Sequence, residues 1–144
     1  MKKFFSKLPL ELLLVLLALI LILSGCSASE DSTDGKRSSW EQISMEDAMD
    51  LMDSEERYII LDVRRADEFV SGHVPGAVNL ANEIIGEDDA AVEAALPDKD
   101  QLILVYCRSG NRSKQASEKL VELGYTNIVE FGGINDWPGE TVSE

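Results

Sequence analysis

The 144-residue chain has few of the residues that build metal and disulfide sites: one histidine and two cysteines. One imidazole and two thiols make no credible zinc set, so no metal is expected. Basic residues are scarce as well, 13 Lys and Arg against 27 Asp and Glu, for a formal net charge of −14. Nucleic acid is excluded as a partner, because phosphate contacts by Lys and Arg supply most of such affinity. The apolar run Leu12–Leu23 has 12 residues, short of the roughly 20 that cross a bilayer. A permanent transmembrane helix is therefore not expected.

That run is still informative. Lys2, Lys3 and Lys7 precede it and Leu23-Ser24-Gly25-Cys26 ends it, which is the layout of an export signal. "LSGC" in this position resembles the bacterial lipobox. The resemblance implies that residues 1–25 are a lipoprotein signal peptide and that Cys26 becomes a lipidated N-terminus. Two or more acyl chains, palmitate among them, anchor stably where a single chain binds marginally. The expected location is extracytoplasmic, on a bacterial membrane. Loss of residues 1–25 removes three lysines and Glu11 and takes the net charge from −14 to −16. A domain so acidic is repelled by anionic headgroups, so the lipid does the anchoring.

Residues 26–39 hold the lipidated cysteine and a flexible tether, "SASEDSTDGKRSS", with no apolar side chain larger than alanine. The 105 residues from Trp40 to Glu144 are enough for one compact domain. With Cys26 lipidated, Cys107 has no disulfide partner within the chain. A lone thiol kept outside the cytoplasm points to use rather than structure.

The hydrophobic pattern in 40–144 alternates. Ser44 with Asp47 three residues on opens a helix whose expected apolar face is Met45, Ala48, Met49 and Met52. "YIILDV" (58–63) and "QLILVY" are unbroken apolar runs of buried-strand length, and "GAVNL" and "NIVEF" read as further strands. "ADEFVSG", "DDAAVEAALP" and "SKQASEKLVELG" read as helices; the last turns Ala116, Leu120 and Leu123 inward and stops at Gly124. Strands alternating with helices predict an α/β fold, a mainly parallel sheet covered on both faces, in three layers.

In that fold Cys107 stands at the carboxyl end of a central strand, where open α/β sheets bind ligands. The segment after it, "CRSGNRS", must turn from strand to helix within a few residues, and Gly110 permits the positive φ such a turn needs. Inward-pointing amides, the N-terminus of a helix expected to begin near Ser113, and the charges of Arg108 and Arg112 all favour a thiolate over a thiol. A thiolate in an anion cradle is a nucleophile for an anionic partner. Phosphatases place the arginine six positions after the cysteine; here Arg112 follows after five and Ser113 is sixth. The tighter ring suits a smaller guest, such as one extra sulfur atom.

"LDVRRADEFVSGHVPGAVNL", "VYCRSGNRS" and "FGGINDW", in this order over nearly all of residues 40–144, make the domain similar to a single-domain rhodanese, a sulfurtransferase. The resemblance implies that Cys107 takes a sulfane sulfur from a donor such as thiosulfate or a polysulfide, becomes a persulfide, and passes the sulfur to cyanide or a thiol. It also implies that the backbone of Arg108, Ser109, Gly110, Asn111 and Arg112 cradles the persulfide, with no cofactor. Phosphate or arsenate ester chemistry is a second reading, and a membrane-tethered binding module of the same fold without turnover is a third. Asp62 and Arg64 sit at a strand end, and Arg64 is expected to pair with Glu68, one helical turn on. His73 in "GHVPGA" reads as a turn residue rather than a base for the thiol. Gly132, Gly133 and Trp137 read as a closing turn and a core anchor.

Overall fold

A computed structural model describes residues 39–144; the expected signal peptide, the expected lipidation site Cys26 and nearly all of the expected tether lie outside the described residues. Among the described residues no helix is long and apolar enough to cross a membrane. Five strands form one parallel sheet: β1 (Glu41–Gln42), β2 (Tyr58–Asp62), β3 (Val78–Asn79), β4 (Leu102–Cys107) and β5 (Ile128–Gly133), in the order β1-β5-β4-β2-β3. Helices α1 (Met45–Ser54), α2 (Ala66–Ser71), α3 (Asp89–Ala95) and α4 (Asn111–Glu122) connect them, and a short 3-10 turn, Ile134–Asp136, follows β5. The expected α/β architecture with a covered parallel sheet is what the chain adopts.

β4 shows why the sheet is buried on both sides. Ile103, Val105 and Cys107 point into one core with Val92 of α3 and Ala116 and Leu120 of α4. Leu104 and Tyr106 point into the other, with Ala48 of α1, Val129 and Phe131. Period-two alternation thus feeds both faces, and an unbroken apolar run is its sequence signature. Cys107 lies on the α4 side.

The helix ends follow their local chemistry. Ser44 Oγ accepts the Asp47 N–H at 3.1 Å and starts α1. Gly124, at φ +90°, closes α4 in a Schellman motif, with Gly124 N–H on the Val121 carbonyl and Tyr125 N–H on that of Leu120. Four details differ from expectation. In α1 it is Leu51, with Met45, Ala48 and Met52, that packs on the core, where Met49 was expected. β1 has only two residues, both polar and exposed, so no apolar alternation announces it. α4 begins at Asn111 rather than near Ser113, because Gly110 at φ +91° completes the reversal alone. Gly132 and Gly133 are the last residues of β5 rather than a turn beyond it, while Trp137 does pack against the core as an anchor.

Candidate active site

The site is built where β4 meets α4. Only Arg108, Ser109 and Gly110 separate the strand from the helix, so Arg112 stands in the first turn of α4. The loop is pressed against the end of β5, where Cys107 pairs with Gly133 beyond an irregularity in the ladder. A methyl group on Gly133 would collide with the Arg108 carbonyl, so that position admits only glycine. Gly132, at φ +96°, is glycine for its backbone conformation instead. Asn135 N–H ties the Arg108 carbonyl at 3.3 Å.

Cys107 is 1% exposed. Its Sγ accepts the Gly110 N–H at 3.1 Å and lies 3.5 Å from Ser113 Oγ. Burial opposes ionisation, but hydrogen bonds from the Ser113 hydroxyl and from the amides of Ser113, Ser109 and Gly110 outweigh it and hold the thiol below its ordinary range. Of the loop amides Arg108–Arg112 expected around the sulfur, that of Gly110 makes a hydrogen bond to it. Arg108, Ser109 and Asn111 are exposed around it.

Arg112 is not free. Its Nη1 and Nη2 bond Glu68 Oε2 and Oε1 at 2.7 and 2.9 Å, a bidentate bridge from α4 to α2. The guanidinium holds the Glu68 carboxyl down at about 2, and the carboxylate raises Arg112 in turn. Ionisation of Cys107 adds to that rise, so the guanidinium favours the thiolate through space.

The expected Arg64–Glu68 pair does not form. Arg64 precedes α2, which begins at Ala66, so the helical spacing behind that expectation does not apply. Arg64 folds back on Asp62, with Nε at 3.0 Å from both oxygens and Nη2 at 2.6 Å from Oδ2. Tyr106 Oη donates to the same oxygen at 2.6 Å and accepts the Val74 N–H at 3.1 Å, and Arg64 Nη2 reaches the Gly72 carbonyl at 2.7 Å. Burial and the neighbouring Asp62 carboxylate push the Tyr106 phenol up. This network ties β2, β4 and the exit of α2 together. His73 is structural too: its ring stacks on Phe69 at 3.7 Å, Nδ1 lies 2.9 Å from the Phe69 carbonyl, and its backbone pairs with Val142.

The residue that sequence reasoning missed is Glu130. It is fully buried on β5, where Oε1 accepts Ser113 Oγ–H at 2.6 Å and Gly132 N–H at 2.9 Å. The signal was present in "NIVEF": an acid stands two residues after the inward Ile128, on the face of the strand that packs under α4. Away from this site, a cleft of about 960 Å³ opens at the amino ends of the strands, lined by residues such as Leu51, Arg57, Asp98 and Leu102 and by none of the thiol loop. Chemistry and the local donor set, not cavity size, make the thiol loop the candidate site.

The rhodanese-like domain family model matches residues 44–140. Among characterised proteins, the chain is similar to thiosulfate sulfurtransferase PspE of Escherichia coli strain K12, 38% identical over 76 residues that make up 53% of this chain and 70% of that one. It is also similar to adenylyltransferase and sulfurtransferase UBA4 of Candida albicans, 33% identical over 107 residues, which are 72% of this chain but 24% of that protein. This chain therefore spans about a quarter of the length of the fungal relative. Among solved structures, a rhodanese with anions from E. coli superposes with a TM-score of 0.54 at 34% identity, over 60% of this chain and 99% of that one.

Proposed function

The chain belongs to the rhodanese-like domain family, and from that premise we propose that it is a sulfurtransferase whose Cys107 carries the sulfur as a persulfide. The donor is a small anion bearing a sulfane sulfur, thiosulfate or a polysulfide, and the acceptor is cyanide or a thiol. The observation that carries the reading is the Cys107 sulfur at the end of β4, bonded by the Gly110 amide at 3.1 Å in a three-residue loop. Atoms balance without a cofactor. Cys107 sulfur attacks the outer sulfur of thiosulfate, the S–S bond of the donor breaks, and sulfite leaves with its electron pair. Cyanide then attacks the terminal sulfur of the persulfide and leaves as thiocyanate, returning Cys107. The amides of Ser109, Gly110 and Ser113 stabilise negative sulfur at each stage. Arg108, exposed, and Arg112, across its bridge to Glu68, supply the positive field that draws an anionic donor.

The test is a thiocyanate assay with thiosulfate and cyanide, run beside hydrolysis of a generic phosphate ester. Thiocyanate formation that depends on Cys107, without phosphate release, supports the reading; phosphate release alone contradicts it. The 1% exposure of Cys107 favours, as second reading, a binding module without turnover, and the same assay would then give neither product.

We propose further that the domain acts outside the cytoplasm, held on a membrane by lipid on Cys26. "LSGC" after the apolar run supports this. Substitution Cys26→Ala is expected to move the protein from the membrane fraction to the soluble one and to leave the sulfurtransferase activity unchanged. Retention of the variant in the membrane fraction would count against the anchor.

A further inference from the structure

Glu130 poses a problem that the sulfur-transfer chemistry alone does not solve. It is fully buried, and among the described residues no cation lies within ion-pair distance of it. Its Oε1 has two donors, Ser113 Oγ–H and Gly132 N–H, while Oε2 has no hydrogen-bond partner among the described residues. A buried carboxylate in that state is costly, and the ordinary remedy is a cation or a proton.

Ser113 supplies a route for the proton. Its hydroxyl has one hydrogen and three acceptors within reach, Glu130 Oε1 at 2.6 Å, the Gly132 carbonyl at 3.4 Å and Cys107 Sγ at 3.5 Å, of which the first and the last are ionisable. When the hydrogen points to Glu130, the hydroxyl oxygen is open to accept a proton from the thiol. When it points to sulfur, the thiolate is stabilised and Glu130 is the group that needs the proton. The loop lies in van der Waals contact with these groups: a methyl on Gly110 would sit 3.6 Å from Gly132 Cα and 3.7 Å from Glu130 Oε1.

We propose that Cys107 and Glu130 hold one proton between them across Ser113, so that Glu130 takes the proton when the thiol attacks a donor and returns it when the sulfur leaves. The second half of this statement rests on the sulfur-transfer reading; the first does not. The balance closes in both directions. On loading, thiol, carboxylate and thiosulfate become persulfide anion, carboxylic acid and sulfite. On unloading to an acceptor anion, persulfide anion and carboxylic acid become thiol, carboxylate and the sulfurated acceptor. The buried pair then carries a single negative charge with or without sulfur, which avoids two adjacent buried anions. Glu130 acts through Ser113 and is a positioning residue. Of the charged groups around the loop, Arg112 of α4 acts on Cys107 through space, Glu68 of α2 and Glu83 act on Arg112, and Arg108 is exposed. None of them touches Glu130.

The experiment is the rate of iodoacetamide alkylation of Cys107 against pH in the full chain, read on the peptide that contains Cys107 so that Cys26 does not interfere. Two coupled groups lose their protons in two macroscopic steps. The wild-type profile is therefore expected to rise in two steps with a plateau between them, and that of Glu130→Gln in one. On the plateau the variant should react about tenfold faster, the ratio expected where sulfur holds the shared proton about one pK unit more tightly than the carboxylate. Ser113→Ala should also lose the plateau, because it cuts the bridge and keeps the carboxylate. A one-step profile in the wild type overturns the proposal whatever the variants do. A variant step at the value of an unperturbed thiol, with the wild type also in one step, would show Glu130 to be packing alone. Treating the same samples with thiosulfate separates the two readings: a two-step profile without sulfur gained on Cys107 keeps the shared proton and rejects its role in sulfur transfer.

Discussion

Neighbouring strands β2 and β4 share the carboxyl end of the sheet, and each ends beside a fully buried carboxylate, but the two are treated in opposite ways. Asp62 is saturated: Arg64 binds both oxygens, the Tyr106 hydroxyl donates to one of them, and the Arg64 amide to the other. Glu130, beside the end of β4, has two neutral donors on one oxygen and none on the other. A saturated buried charge is a fixed tie, since any change leaves its partner uncompensated. An under-saturated one next to a thiol can exchange a proton. The contrast separates the frame of the site from its moving part.

Breaking the frame should have the largest effect on stability. Asp62→Ala leaves the Arg64 guanidinium buried without its counter-ion, and the cost is expected at about 3–5 kcal/mol, measured by urea unfolding; a loss below about 1 kcal/mol would refute the tie. Gly133→Ala comes next. Its methyl group would drive against the Arg108 carbonyl backbone, and a loss of about 2–3 kcal/mol is expected, together with a reactivity of Cys107 that no longer depends on the loop.

Smaller effects belong to the bridge above the thiol. Arg112→Ala removes little packing and the bridge to Glu68, and should lower the unfolding free energy by about 1 kcal/mol at most, while the KM for thiosulfate rises about tenfold, roughly 1.4 kcal/mol. Unchanged kinetics would remove Arg112 from donor binding. The smallest effect is that of pH on the Glu68–Arg112 pair. The Glu68 carboxyl is held at about 2 in the folded chain against an ordinary 4.5. The folded value is depressed, so the contribution is full above pH 4.5 and fades as pH falls toward 2. Because the pair is partly exposed, solvent screening limits it to about 1 kcal/mol. Glu68→Gln should remove that part of the acid sensitivity and leave the rest.

The same contrast marks where the sequence could be read. Apolar runs long enough to be buried on both faces announced β2 and β4, and Gly110 announced the turn after Cys107, because those signals depend only on local periodicity and on φ. The thiol, its loop and its helix were legible for that reason. Arg64 was assigned the wrong partner because i,i+4 spacing has meaning only inside a helix, and its side chain instead turns back across two residues to the strand end. Glu130 stands 23 positions after Cys107 in the chain. Only the pairing of β5 with β4 brings the two under one helix. Its neighbours on either side, Val129 and Phe131, face the other core, so the acid is conspicuous once the alternation of "NIVEF" is followed. β1 gave no signal because two exposed polar residues carry no pattern.

The most direct measurement is the mass of the Cys107 peptide from the full chain before and after thiosulfate, with Cys107→Ser alongside. The account predicts a gain of one sulfur atom in the wild type only, removed again by cyanide. No gain with either thiosulfate or a polysulfide would contradict it and make the loop an anion-binding site rather than a reaction centre.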